Sequence, residues 1–440
     1  MSKKAPTLRV RYLLGFLLFA LSGTAFLDRT NISIAGHQIS AEFALGNERL
    51  GWIASAFLIG YAFMQVPAGW MAARFGPRRV LALGTLWWGV ATILATLLPV
   101  GTPTAIFWLI ALRFLLGAGE SVVYPAANQF VSNWIPLGER GIINGLIFAG
   151  VGAGSGLTPP LLNWMITQYG WRAAFWFSAA VGTLIGAIWW FYSRNTPEQH
   201  PSMSPEELLE IRSSLASAPD AAPADEAGTA KPRVNWKAMF SRKDLPLLMS
   251  AYFCFGYISW IYFSWFFIYM SEVRGINPKS SALFTMLPFI SMTLFCLLGG
   301  GLSDRITRRY GLRAGRCMLA TIALCLTAGF LLMGSQAKNP VTAALILSLG
   351  AGALYLSQSS YWSVSIDIAG KQSGVFSSLV NTGGQIGGAV TASLTPWIAH
   401  KFGWTTSFGT AACMALLGAA CWAMVNPGQI SHQPEAAATS

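Results

Sequence analysis

Four ionisable side chains interrupt long apolar runs: Asp28 and Arg29 in the first run, Arg113 and Glu120 in a later one. Charges surrounded by hydrocarbon are costly and persist where they pair or work. Arginine presents a planar fork that fits a carboxylate, so one guanidinium can anchor an anion. A carboxyl in a low-dielectric site holds a proton more readily, and a nearby arginine opposes this. A carboxyl whose arginine partner is drawn away can therefore switch protonation state, which links proton movement to anion binding. As adjacent helical residues, Asp28 and Arg29 point about 100° apart. One can face a central cavity while the other faces the run that carries Arg113. Glu120 lies two turns beyond Arg113 on the same face. The expected roles are Arg29 as anion anchor, Glu120 and Asp28 as proton carriers, and Arg113 as internal counter-ion. Asp28 and Arg113 fall at similar depth and can pair. The structural alternative is a bridge from Arg29 to Glu120 or Asp28 that only holds helices together.

Neutral contacts are expected from later runs, where no charge lies at depth. Tyr252, Tyr257, Trp260, Tyr262, Trp265 and Tyr269 share one run, and one or two of them, Tyr257 first, are candidate ligands for a polyol. Gln358, Ser360, Trp362, Ser363 and Asn381 are further binding candidates, although polar residues at depth also join helices. Two runs are glycine-rich, Gly150 to Gly156 and Gly383 to Gly388, which suits close packing between moving halves. No Walker ending follows them, so no ATP site is expected and an ion gradient is the energy source. His37, His200, His400 and His432 lack metal spacing. The six cysteines show no disulfide or metal framework and read as small buried hydrophobes. No cofactor, metal or catalytic cluster is expected, and the chain does not read as an enzyme.

The elements that must position these residues follow from composition. Of 440 residues, 54% are hydrophobic and 10% charged, against about 25% charged in soluble domains. The apolar runs are long and do not alternate, so they predict membrane-spanning helices rather than barrel strands. Twelve are expected, near 12–35, 50–72, 80–99, 104–132, 142–166, 172–192, 245–270, 281–303, 315–335, 341–366, 373–399 and 404–425. The first is read as a helix and not a signal peptide, because it contains Asp28 and Arg29. Most of the 29 lysines and arginines fall in segments that share a side with both termini. That asymmetry places both termini in the cytoplasm and accounts for the net charge of +12 without nucleic acid. Residues 195–244 form a linker that opens with a short helix after Ser204-Pro205 and continues as a flexible stretch from Ala218 to Pro232. The linker separates a first six-helix unit, 1–194, from a second, 245–425, with a tail over 426–440. The fold class is thus an all-α membrane protein with two pseudo-symmetric six-helix bundles, and a monomer suffices.

The halves repeat one another. Gly69-Trp70-Met71-Ala72-Ala73-Arg74-Phe75-Gly76-Pro77-Arg78-Arg79 is echoed by Gly300-Gly301-Leu302-Ser303-Asp304-Arg305 with Arg308, Arg309, Gly311 and Arg313. Tyr169-Gly170-Trp171 and Phe402-Gly403-Trp404 match at nearly the same separation, as an internal repeat requires. These stretches resemble the loop signature of the major facilitator superfamily. The resemblance implies a gating role for Gly69, Arg74, Gly76, Arg78, Asp304 and Arg305. One departure is visible: the family's aspartate before the first arginine is Ala73 here, which weakens the charge relay in the first half. Asp28-Arg29-Thr30-Asn31, Gly60-Tyr61, Arg113 to Glu120 with Tyr124-Pro125, and Arg140 after Trp134-Ile135-Pro136 further resemble the anion:cation symporter branch. That likeness implies proton-coupled uptake of a small organic anion, foremost a sugar acid, across a bacterial inner membrane, with Tyr61 among the binding residues. The alternatives are a carrier of another carboxylate, an anion exchanger, or a transporter-like sensor.

Overall fold

The computed structural model describes residues 9–45, 47–100, 102, 104–216, 234, 236–276 and 278–427. The stretch Ala218 to Pro232 and most of the tail expected from 426 lie outside the described residues. Eleven helical runs are long and apolar enough to cross a membrane, and the longest, Pro340–Phe402, comprises two crossings that meet at Gly370. Twelve crossings result among the described residues. We label them α1 (Val10–Phe43), α2 (Asn47–Phe75), α3 (Pro77–Thr96), α4 (Ala105–Trp134), α5 (Arg140–Tyr169), α6 (Trp171–Tyr192), α7 (Asp244–Ser264), α8 (Pro278–Tyr310), α9 (Arg313–Gln336), α10 (Pro340–Leu356, continued by Gln358–Ala369), α11 (Ser373–Phe402) and α12 (Trp404–Met424). Large apolar side chains such as Phe63, Leu157, Phe191, Leu294 and Met424 cover the outer faces, as lipid contact requires.

The sequence repeat is also a packing repeat. In the first half α1 packs on α5, α2 on α4 and α3 on α6; in the second, α7 packs on α11, α8 on α10 and α9 on α12. Gly76 and Gly311 turn the chain between α2 and α3 and between α8 and α9, with φ of 89° and 87°. That backbone region favours glycine because a Cβ would clash there, which is why the repeat keeps glycine at both places. Breaks recur too: α4 is interrupted at Ser121 just past Glu120, and α10 at Ser357 just before Gln358. In both, the serine hydroxyl bonds a carbonyl three residues back and competes with the helical ladder.

Two expectations change. The α11 glycines were expected to serve contact between the halves, yet Gly383, Gly384, Gly387 and Gly388 all press on α7, inside the second half. Close approach is needed there to bury the lining of a central cavity. Between the halves it is α5 that approaches closely, with Gly141, Gly145 and Gly152 against α8. Cys254, Cys296 and Cys317 are buried, but Cys325 and Cys413 are exposed on outer faces, because a lipid-facing surface accepts a small apolar thiol as readily as the core.

The halves join through two seams, α2 with α11 and α5 with α8. Among the described residues, every hydrogen bond between the halves lies at Tyr61–Asn381 or nearer the side of the termini. A helix over Pro205–Ala216 packs on that side. Glu207 accepts the first amides of α1, from Val10 and Arg11, at 3.2 Å each. Arg11 is buried among Glu139, Glu207 and Glu210, and its hydrogen bond holds the Glu210 carboxyl below the usual range.

Candidate functional site

A cavity of about 70 Å³ lies between the halves near mid-depth. From the first half it is lined by Phe26 and Arg29 of α1, Tyr61 of α2, Tyr124 of α4 and Phe148 of α5. From the second come Tyr252, Ser259 and Trp260 of α7, Tyr355 and Gln358 of α10, and Asn381 and Gln385 of α11. Among the described residues Arg29 is the only charged one in this lining. Its Nε donates to Glu120 Oε2 at 2.8 Å, and its guanidinium sits 4.7 Å from the ring centres of both Phe26 and Tyr61, within cation–π reach. Nη2 of Arg29 and Oε1 of Glu120 are buried without partners. Such atoms are normally satisfied, so one edge of the guanidinium is left without a partner at the cavity. Arg29 thus bridges to Glu120 and also lines the cavity.

Asp28 turns away from the cavity. Its Oδ1 accepts from Ser178 of α6 at 2.7 Å and from Asn31 at 3.3 Å, while Oδ2 has no partner. Arg113 was expected to pair with it. No ion pair within 4.0 Å joins Arg113 to any described carboxylate; its guanidinium lies over Phe57 at 5.2 Å. Instead Asp28 and Arg113 share a closed void of about 10 Å³ with Asn31 and Thr92, about the room one water needs. Helix spacing set their depth correctly but not the lateral gap between α1 and α4.

Of the remaining binding candidates, Tyr61, Asn381 and Gln358 line the cavity. Asn381 Nδ2 lies 3.5 Å from Tyr61 Oη, and Gln358 donates to Tyr252 Oη at 2.9 Å. Tyr257, Ser360, Ser363 and Trp362 do not line it. Tyr257 is buried against α11, because the cavity stripe of α7 runs Tyr252, Gly256, Ser259, Trp260, Phe263, and Tyr257 lies beyond it, about 140° around the helix from Tyr252 at 100° per residue. Ser360 is buried without a partner, and Ser363 accepts from Asn144 of α5 at 3.1 Å. Trp362 lies beneath the lining residues Phe148, Tyr124 and Tyr252, its ring centre 4.8 Å from that of Phe148 in a tilted arrangement. Ser259 and Tyr355, which share a hydrogen bond of 2.9 Å, were not foreseen. The signal that could have found Ser259 is its place on the Tyr252–Phe263 stripe.

Below the cavity lie the two junctions. At the α5–α8 junction Asp304 accepts the amides of Gly141 and Ile142 at 2.8 and 2.7 Å, the first free amides of α5. Arg316 bonds Asp304 at 2.9 Å and Asp367 at 3.2 Å, and Asp367 accepts from Arg140 at 2.8 Å. Arg316, Asp367 and Arg140 were not foreseen as partners, since they come from three separate elements. At the α2–α11 junction a Cβ on Gly69 would run into the Gly374 carbonyl. There the Gly374 amide donates to Gln129 at 3.2 Å, and Ala73 leaves no carboxylate. Gly76 makes the turn beside Asn195, which accepts the Arg78 amide; the Arg78 guanidinium bonds the Trp190 carbonyl at 2.7 Å. Arg74 and Arg305 are exposed and take part in no described ion pair.

The description "Major Facilitator Superfamily" matches residues 18–392. The chain belongs to this superfamily. It is 32% identical to a probable sulfoacetate transporter of Cupriavidus necator, over 96% of this chain and 95% of that one. A probable galactarate/D-glucarate transporter of Escherichia coli K12 is 27% identical over 96% of each chain. A chloroplastic ascorbate transporter of Arabidopsis thaliana is 28% identical over 95% of this chain and 75% of that one. Among solved structures, the proton:xylose symporter XylE superposes with a TM-score of 0.73 at 15% identity, covering 94% of this chain and 96% of that one. The major facilitator fold, membrane integration and a transporter rather than an enzyme follow from these matches.

Proposed function

We propose that this major facilitator protein takes up a small organic anion, foremost a sugar acid, together with protons. The observation that carries this reading is a single guanidinium, Arg29, in a central cavity otherwise lined by hydroxyl, amide and aromatic groups from both halves. One cation matches one carboxylate, and Tyr61, Tyr124, Tyr252, Ser259, Gln358 and Asn381 suit a hydroxylated body. Substrate carboxylate and Glu120 compete for Arg29. When the anion takes the guanidinium, Glu120 loses its partner and accepts a proton; when the anion leaves, the bridge re-forms and the proton is released. Asp28, with one free carboxylate oxygen in its own void, relays protons along α1, and Arg113 sets the field there. The units 1–194 and 245–425 rock about this site, joined by 195–244. The side of the termini is cytoplasmic by the positive-inside rule, in a bacterial inner membrane, and Gly69, Arg74, Gly76, Arg78, Asp304 and Arg305 belong to the gate on that side.

A second reading, a two-carbon sulfonate or carboxylate, draws on the 32% identity to the probable sulfoacetate transporter and on the small cavity volume. Proteoliposome uptake of sugar acids and sulfoacetate, with and without an inward proton gradient, tests both. In the first reading a sugar acid accumulates, Arg29→Ala abolishes it, and Glu120→Gln keeps exchange but loses gradient-driven accumulation. Accumulation of sulfoacetate alone selects the second. Movement of no anion, or wild-type accumulation by both variants, removes the reading.

A further inference from the structure

A second and larger space lies away from the transport cavity. It is a groove of about 520 Å³ on the outer face of the first half, between α2, α3 and α4. Gly84 and Gly119 form its floor, where a Cβ on either would strike Val122 or Trp87. Trp87 makes one wall, held by its indole N–H on the Leu115 carbonyl at 2.8 Å, and Leu83 and Phe75 stand exposed at the rim. The groove runs from Phe75 to Met64 of α2, about 16 Å at 1.5 Å per residue. Among the described residues its only charged lining residue is Arg79, at the end that shares a side with the termini.

Among the described residues no ion pair supplies that end with a counter-charge. Arg74, Arg78 and Arg79 cluster in the turn, and none takes part in a described ion pair. The first turn of α3 contains no acidic residue. In the second half Asp304 stands at the corresponding place, but here the residue is Ala73. Arg78 is turned onto the Trp190 carbonyl and Arg74 lies over the Trp70 and Phe75 rings, so Arg79 is the cation of the turn that lines the groove.

We propose that this groove binds an anionic phospholipid, with an acyl chain along the α2–α4 floor and the headgroup phosphate on Arg79. An apolar trough long enough for a chain and closed by one unpaired cation complements that amphiphile and no soluble anion. The lipid supplies the negative charge that Ala73 does not.

The test is native mass spectrometry of the full-length protein equilibrated with equal phosphatidylglycerol and phosphatidylcholine. Wild type should retain the anionic lipid about fivefold over the zwitterionic one, the weight of one arginine near a membrane surface. Arg79→Gln should bring the ratio close to one, while Arg309→Gln, in the second half and outside the groove, should leave it unchanged. Leu83→Gln, an exposed groove position that does not threaten folding, should lower retention of both lipids. Dihexanoyl phosphatidylglycerol should bind far more weakly than the long-chain lipid, and excess inorganic phosphate should not displace the latter. Equal retention of both lipids by wild type, an unchanged ratio in Arg79→Gln, equal binding of short and long chains, or displacement by phosphate would each overturn the assignment.

Discussion

At the α5–α8 junction four buried charges and the start of a helix hold one another: Arg140, Asp367, Arg316 and Asp304, with the amides of Gly141 and Ile142. At the α2–α11 junction, the equivalent place in the repeat, Ala73 stands for Asp304, and the Gly374 amide at the start of α11 donates instead to Gln129 of α4. Both junctions bring glycine against glycine, Gly69 on Gly374 and Gly300 on Gly141, and the α5–α8 junction adds a buried charge network that the α2–α11 junction does not have among the described residues. A buried ionic network is stable only while every member is paired, so it has two discrete states. Small-residue packing has no such threshold and lets the helices slide. On the proposed transport function, we propose that the seam with a network to break is the latch and the seam without one is the bearing on which the halves turn.

The comparison breaks most sharply at Arg316. Arg316→Ala leaves Asp304 and Asp367 buried without that cation, which should cost about 3–5 kcal/mol. The expected outcome is a clear fall in thermal midpoint in detergent and loss of uptake. If the midpoint and uptake match those of Gln129→Ala, the two junctions are equivalent and the latch assignment fails. Next in size is Ala73→Asp, which restores a carboxylate facing the first turn of α11 and gains about 1 kcal/mol there. With both seams latched, uptake should slow about fivefold while thermal stability rises; faster uptake would show that the neutral seam is not a bearing. Gln129→Ala removes one hydrogen bond worth about 1 kcal/mol, and initial uptake rates should stay within about fivefold of wild type.

The smallest effect lies in the strap formed by Pro205–Ala216. Glu210 has a depressed folded-state pKa because it bonds Arg11. Its contribution is therefore fully present above the ordinary glutamate value of about 4.3 and is lost as pH falls through the lower folded value. Amide protection over Pro205–Ala216, taken relative to the intrinsic exchange rate at each pH, should be flat from neutral pH to that point and fall below it. A fall already at pH 6 would mean that other groups hold the strap.

How much was legible in advance differs by level. Long apolar runs count crossings because lipid forces each one to be a helix, so all twelve could be read; the glycines at Gly76 and Gly311 mark the repeat because only a residue without Cβ turns there without strain. Deep charges are rare enough that Asp28, Arg29, Arg113 and Glu120 stood out singly. Neutral residues carry no such penalty. Tyr257 and Tyr252 are the same residue type in the same run, and only the rotation of α7 against α11 decides that Tyr252 meets the cavity. Ser360 and Ser363 were misdirected likewise, by the break at Ser357 and the seam with Asn144.

What the chain's own composition and spacing determine is local: which segments enter lipid, where they turn, and which side chains are too costly to be idle. What tertiary structure alone decides is partnership. Arg29 with Glu120, Asp28 with Ser178, and Arg316 between Asp304 and Asp367 join residues from different helices. Those pairings depend on the lateral distance and rotation of packed helices, which the 3.6-residue period along each helix does not contain.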